Sequence, residues 1–130
     1  MSEIKVDTLT GKTSAGDITV TSEGGAATMQ LQQGLAKAWI DFTSAASFTL
    51  NGSFNISSLS DIGTGYGAFS FAASMADANY AHSSIGDNTA YHAYFVTGSK
   101  ATSGTRNIKA NQSHADTDST HNVVIHGDLA

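Results

Sequence analysis

Histidines are the side chains in this sequence best suited to bind a metal or to transfer protons at neutral pH. A strand presents two histidines to one metal when one residue separates them, and a helix does so when they are four apart. No two histidines have either spacing, and the chain has no cysteine. The sequence therefore predicts no metal site and no cofactor. It predicts surface or hydrogen-bonded positions for all five histidines: His82, His92, His114, His121 and His126.

Serine and aspartate are so frequent that some combination of them with a histidine could always be assembled into a hydrolytic site. However, the sequence contains no Gly-x-Ser-x-Gly motif and no phosphate-binding loop. The glycine-rich segment 63–67 lies between two strand patterns with no helix after it, so it lacks the amide array that binds phosphate. We predict a turn there, no catalytic residue, and no enzyme activity.

Aromatic residues form two groups along the chain. The first group occupies alternating strand positions and is predicted to be core: Trp39, Phe42, Phe48, Phe54, Phe69 and Phe71. The second group, between residues 91 and 95, places rings on both faces of one strand. Such rings can contact sugars or a partner protein, or they can fill a trimer interface. The predicted surface-contact residues are Tyr66, Tyr91, His92 and Tyr94.

Composition favours a small all-β protein. The chain has 130 residues, enough for one domain and an appendage. It has 13 glycines and only two glutamates, Glu3 and Glu23, which suits short strands better than long helices. Its net charge is −5 and its basic residues are scattered, so nucleic acid is not an expected partner. No apolar run is long enough for a membrane span or a classical signal. The absence of cysteine fits a protein that is made and assembled in a reducing cytoplasm.

The first 36 residues carry short strand patterns with few large side chains. Ile4 and Val6 alternate with polar residues, as do Ile18 and Val20. An isolated ribbon of this kind is marginal in water, whereas three copies around one axis would share a core. We expect residues 1–36 to be a leader that attaches and trimerises the chain. The predicted interface residues are Ile4, Val6, Leu9, Ile18, Val20, Met29, Leu31 and Leu35.

Residues 26–35 allow two different structures. The segment permits about two helical turns that end at Gly34. Met29, Leu31 and Leu35 among glutamines fit a three-chain bundle, and an irregular linker laid on the domain fits equally well. We therefore expect a short helix or a linker.

Strand patterns follow one another from Lys37 onward. Asn51-Gly52 is typical of a tight turn between two strands, and further strands are predicted at 80–82, 90–97, 105–110 and 122–126. Roughly seven or eight strands in a domain of this length predict an antiparallel β-sandwich, jelly-roll-like, over residues 37–130.

Several motifs resemble a recurrent domain in tail-fibre and other virion proteins of marine and cyanobacterial phages. These motifs are Lys37-Ala38-Trp39-Ile40-Asp41-Phe42, Ser53-Phe54-Asn55-Ile56-Ser57-Ser58-Leu59-Ser60-Asp61, Gly63-Thr64-Gly65-Tyr66, Met75-Ala76-Asp77-Ala78-Asn79-Tyr80-Ala81 and Val123-Val124-Ile125-His126-Gly127. Ala76 stands where domains of that kind carry a proline, which affects a local turn. The opening segment, residues 4–9, also resembles the leader of small phage fibres. None of these motifs is catalytic. The resemblance therefore implies the fold of the domain and its place in a virus particle, and it implies a function only by association.

The resemblance implies a virion structural protein, tail-fibre-like and homotrimeric, that attaches by its N-terminus to tail or baseplate proteins. Its sandwich would then contact a host-surface glycan or protein, or another fibre protein. A first alternative is a trimeric decoration protein that cements the capsid surface. A second alternative, from another class, is a glycan-binding or glycan-cleaving module, motivated by the tyrosines and the abundant aspartate.

Overall fold

The computed structural model describes residues 3–15, 17–44, 47–86, 91–95, 100–111 and 118–130. Its secondary structure there consists of ten strands and one turn of 3-10 helix, and every strand pair is antiparallel. The prediction of an all-β, antiparallel protein is confirmed. Within the described ranges, no helix is long and apolar enough to cross a bilayer.

The chain divides into two compact units, Met1–Leu35 and Ala36–Ala130. In the first unit, β1 (Thr19–Thr21) pairs with β2 (Thr28–Gln30), and a 3-10 turn follows at Gln32–Gly34. Of the two structures expected for residues 26–35, the helix of two turns is wrong because residues 28–30 are extended and paired with β1. The expected strand at residues 4–6 is also wrong, since these residues have no strand pairing.

The second unit contains two four-stranded sheets. Its strands are β3 (Ala38–Thr43), β4 (Thr49–Phe54), β5 (Ile56–Gly63), β6 (Tyr66–Phe71), β7 (Ala81–Gly86), β8 (Tyr91–Phe95), β9 (Gly104–Asn111) and β10 (Thr120–His126). The order is β4-β3-β10-β7 in the first sheet and β5-β6-β9-β8 in the second. The chain therefore changes sheet after β4, β6, β7 and β9.

One apolar core serves both sheets. Ala38, Ile40 and Phe42 alternate with less buried residues along β3, as the period of two in a strand requires. The core residues are Ala38, Ile40, Phe42, Phe69, Phe71, Met75, Tyr80, Val123 and Ile125. Residues from β3, β6 and β10 thus bury the inner faces of both sheets.

The corner between β4 and β5 lies at Asn55 rather than at Asn51-Gly52. The predicted turn at residues 51–52 is wrong because both residues lie inside β4, where the register with β3 shifts at a bulge. Asn55 has φ 57°, a left-handed conformation that asparagine tolerates better than most residues. Its side chain donates to the carbonyls of Lys37 and Ala73 and accepts the Ala73 N–H.

The glycine-rich segment 63–67 forms the turn of the β5–β6 hairpin, as predicted. Gly65 has φ 66°, and its N–H donates to the Asp118 carboxylate at 2.8 Å. The backbone amide here is therefore engaged by the chain's own carboxylate.

Candidate interaction surface

Trp39 and Phe54 lie on the outer face of the first sheet. Trp39 alternates with the buried residues of β3 and is 42% exposed, and Phe54 of β4 is 53% exposed. Their predicted place in the core is wrong, because the period of two that buries Ile40 and Phe42 turns Trp39 outward. The other four aromatic residues of the first group pack in or against the core: Phe42, Phe48, Phe69 and Phe71.

The strand register brings four exposed apolar side chains together on this outer face. Trp39 pairs directly with Phe54 on one side and with Val124 of β10 on the other. Ile85 of β7 lies in the next register row, which also contains Asp41, and it lines a shallow hollow together with Val124. Directly paired residues share a face, and their side chains are close enough to pack. We name Trp39, Phe54, Ile85 and Val124 the outer apolar patch.

Gly52 lets the indole of Trp39 lie across the neighbouring strand. A methyl group added at Gly52 would stand 3.3 Å from Cζ3 and 3.4 Å from Cη2 of the Trp39 ring. The ring therefore covers the backbone of β4 at the point where that strand has no side chain. This holds a large, flat apolar surface in place at the middle of the patch.

A polar network borders the outer apolar patch. The bulge in β4 places Asn51 where its amide donates to Oδ1 of Asp41 at 3.0 Å and to Oγ1 of Thr43 at 3.2 Å. The Thr43 hydroxyl also bonds the hydroxyl of Thr120, which continues the network onto β10. Among the described strand residues of this outer face, Asp41 alone carries a full charge at neutral pH. The row of Trp39 is therefore mainly apolar, and the adjacent row, which contains Asp41, is mainly polar apart from Ile85.

The predicted interface residues of the first unit are mostly exposed in the single chain. The six exposed residues are Ile4, Val6, Leu9, Val20, Met29 and Leu35, while Ile18 and Leu31 are half-buried. Val20 pairs with Met29 across β1 and β2, and both residues line an apolar hollow. The structure brings these two residues together, whereas Ile4, Val6 and Leu9 lie outside the strands.

The predicted surface-contact residues lie in the second sheet. Tyr66 of β6 is half-buried and pairs with Ile108 of β9, which pairs in turn with Tyr94 of β8. The positions of Tyr66 and Tyr94 therefore share one register row. Tyr91 and His92 also belong to β8. The side chains of these three β8 residues lie outside what the structure describes, so their contact role stays a prediction.

One histidine and one serine meet in the interior. Both Ser44 and His121 are 0% exposed, and the imidazole of His121 stacks on Phe42 with ring centroids 4.6 Å apart. A serine beside a histidine is the usual start of nucleophilic catalysis, but no solvent or substrate reaches this pair. His114 lies outside the described residues, within which no group of three potential metal ligands occurs.

A second buried cluster surrounds Tyr80. Its hydroxyl lies within hydrogen-bonding distance of the carbonyls of Ala101 and Gly104, and the Lys100 ammonium lies 5.2 Å from its ring centre. Burial raises the pKa of Tyr80 and lowers the pKa of His82. These contacts join the segment before β7 to the start of β9, so the cluster is structural.

The segment 75–81, one of the motifs quoted above, connects the core to the C-terminal residues of the chain. Met75 is buried and forms an isolated bridge with Leu129, while Ala76 donates its N–H to the carbonyl of Asp128. The Asp77 carboxylate accepts the Asn79 N–H at 2.7 Å, which lowers the pKa of Asp77 and fixes the turn before Tyr80. The motif thus closes one end of the core.

The chain matches no protein-family model, no curated protein and no solved structure. The resemblance to phage fibre domains therefore rests on the sequence motifs alone. The most distinctive surface features of the chain are its exposed apolar side chains, in the first unit and in the outer apolar patch.

Proposed function

We propose that this chain is a structural subunit of a bacteriophage particle, tail-fibre-like and homotrimeric. Residues 1–36 attach it to other virion proteins, and the second unit faces the host surface or another fibre protein. The observation that carries the proposal is the exposure of six apolar side chains in the first unit. The phage setting comes from the resemblance of the motifs, and the assembly role comes from the exposed apolar surface.

Exposed apolar side chains in the first unit favour assembly because the unit has little else to stabilise it. Among its described residues, the first unit has one strand pair of three residues in each strand, and a two-stranded ribbon is marginal in water. Each large apolar side chain contributes about 1.5 to 3 kcal/mol when fully buried, and sister copies can supply that burial. Val20 and Met29 are the best placed, since they already form one apolar surface.

The connections of the second unit support a jelly-roll-like sandwich. β3 and β10 pair although they lie at opposite ends of the unit, and β6 pairs with β9 across two intervening strands. Each sheet therefore combines strands from both halves of the unit, as rolled-up antiparallel folds do. A compact module of this kind is suited to display at the surface of a particle.

Light scattering on the purified full chain tests the trimer. At micromolar concentration we expect three times the chain mass, and the double variant Val20→Thr/Met29→Thr should dissociate at higher concentration than the parent. Lys12→Gln, an exposed change in the same unit, is the control and should leave the mass unchanged. A monomer at all concentrations would contradict the proposal.

Position on the particle is tested by counting copies in purified virions. A few to several tens of copies, located at the tail or baseplate, would support the fibre role. Hundreds of copies over the capsid would instead favour the decoration protein, and absence from virions would refute both. Release of reducing sugar from host polysaccharide would favour a glycan-cleaving module.

A further inference from the structure

We infer that the outer apolar patch is a second contact surface between copies of this chain. The inference rests on the proposed homotrimer and names a surface through which its subunits meet. The second unit presents Trp39, Phe54, Ile85 and Val124 on one sheet face, with exposures between 36% and 67%.

The chemistry of this face suits an interface. Interface cores are enriched in aromatic residues and depleted of charge, and tryptophan is the residue that most often dominates binding. Trp39 lies at the centre of the patch and its ring is held against Gly52. The polar network of Asn51, Asp41 and Thr43 forms one border, where a hydrogen-bonded rim is expected.

Charge favours a second copy of the chain as the occupant. The chain carries a net charge of −5, so two copies repel each other over most of their surfaces. Like charges facing each other across an interface cost several kcal/mol. Among the described strand residues of this face the single full charge is Asp41, which lies one register row from Trp39 and accepts a hydrogen bond from Asn51. Two copies can therefore meet over the row of Trp39 without carboxylates facing each other in that row.

Area favours a contact that adds to another one. The whole outer face, four strands of about six residues, covers roughly 400 Å² from the usual strand spacing and rise per residue. A stable interface uses about 800 Å² from each partner, so this face alone is too small to hold an unrelated protein firmly. In the proposed homotrimer the first units already hold the copies together, and a weak second contact then suffices wherever the connection lets the patches meet.

Trp39 provides a direct test, because it is the only tryptophan in the chain. Acrylamide quenching of its fluorescence is measured on the full chain at concentrations where light scattering shows the assembly and where it shows the monomer. We expect the quenching constant to rise about twofold or more on dissociation, since interface cores exclude water. An indole equally accessible in the assembly and in the monomer would overturn the inference and leave the trimer standing.

Variants separate the two surfaces. Phe54→Thr leaves Trp39 in place and removes the aromatic ring paired with it, so it should weaken the assembly about tenfold or more. Ile62→Thr is the matched control, because Ile62 is 49% exposed on β5 of the other sheet and should leave the assembly unchanged. Circular dichroism must show that both variants keep the parent fold.

The remaining outcomes are also decisive. If Val20→Thr/Met29→Thr dissociates the assembly while Phe54→Thr does not, the leader alone holds the copies and the inference fails. If Trp39 becomes protected only when another virion protein is added, the patch binds that protein instead of a second copy. If the chain is monomeric at every concentration, the proposed homotrimer and this inference fail together.

Discussion

The Oγ atom of Ser44 lies 3.1 Å from Nε2 of His121, and neither side chain has any exposed surface. Ser44 Oγ also accepts the N–H of Ser119 at 2.9 Å and lies 3.0 Å from the Ser119 carbonyl oxygen. A hydroxyl has one hydrogen, so all groups are satisfied when Ser44 donates to that carbonyl and His121 donates from Nε2. The pair therefore ties the end of β3 to the start of β10.

Ser44→Ala should destabilise the protein by about 1 to 3 kcal/mol, because it leaves the Ser119 amide and the His121 ring nitrogen without this buried partner. Urea unfolding followed by circular dichroism measures the change. Ser60→Ala is the control, since Ser60 is exposed on β5, and it should change the free energy of unfolding by less than about 0.5 kcal/mol. Equal effects from the two variants would show that the buried hydroxyl is not needed.

Asn55 combines a left-handed backbone with three hydrogen bonds, and two substitutions separate these roles. Asn55→Gly keeps the backbone conformation and loses the bonds, so we expect a loss of about 1 to 3 kcal/mol. Asn55→Ala loses both and should cost about 1 kcal/mol more. The order of stability in urea should be parent, then Gly, then Ala. An alanine variant as stable as the glycine variant would refute the backbone argument.

Position 67 should not tolerate a residue larger than glycine, because aromatic rings fill the inner face of β6 at this point. A methyl group there would stand 2.8 Å from Cε2 of Phe48 and 3.0 Å from Cε2 of Phe42. We expect Gly67→Ala to destabilise by about 1 to 3 kcal/mol through overpacking. The control is Gly24→Ala, where a methyl group meets nothing within 4 Å. Thermal unfolding that is unchanged in Gly67→Ala would contradict this packing.

His82 should make the protein less stable as the pH falls. Burial, with Lys100 nearby, lowers the pKa of His82 below its ordinary value of 6.5, so the unfolded chain binds the proton first. The contribution of neutral His82 is thus present above pH 6.5 and is lost as the pH falls through and below that value.

The melting temperature of His82→Gln should therefore depend less steeply on pH than that of the parent, between about pH 7.5 and 5.5. Ser83→Ala keeps His82 and serves as the control, with the full pH dependence expected. Parallel curves for the parent and His82→Gln would remove His82 as a source of the effect.

The period of two along β3 was predicted from sequence, but Trp39 was assigned to the wrong face of the strand. Ala38, Ile40 and Phe42 form one set and Trp39 belongs to the other, and hydrophobicity alone favoured placing Trp39 inside. The small Ala38 marks the inner set, because it shares the parity of two large apolar residues. Spacing in β3 is therefore the signal that locates the outer apolar patch.

Contacts between residues far apart in the sequence could not be predicted from the sequence. Ser44 and His121 are 77 residues apart, and nothing in the local sequence of either indicates the other. The bulge at Asn51 likewise depends on the pairing of β4 with β3. The dipeptide Asn51-Gly52 is typical of a turn, but this pairing holds it in a strand. Asn55 was the more informative residue, since asparagine is among the few side chains that tolerate its conformation.

The position of β10 has a consequence for how the protein is made. Residues 120–126 form the strand that links β3 to β7, so neither can join the other until that segment has left the ribosome. β3 can pair early with β4, its neighbour along the chain, whereas its pairing with β10 spans a long stretch of sequence and is slow. The first sheet can therefore be completed only at a late stage, when β10 inserts between β3 and β7.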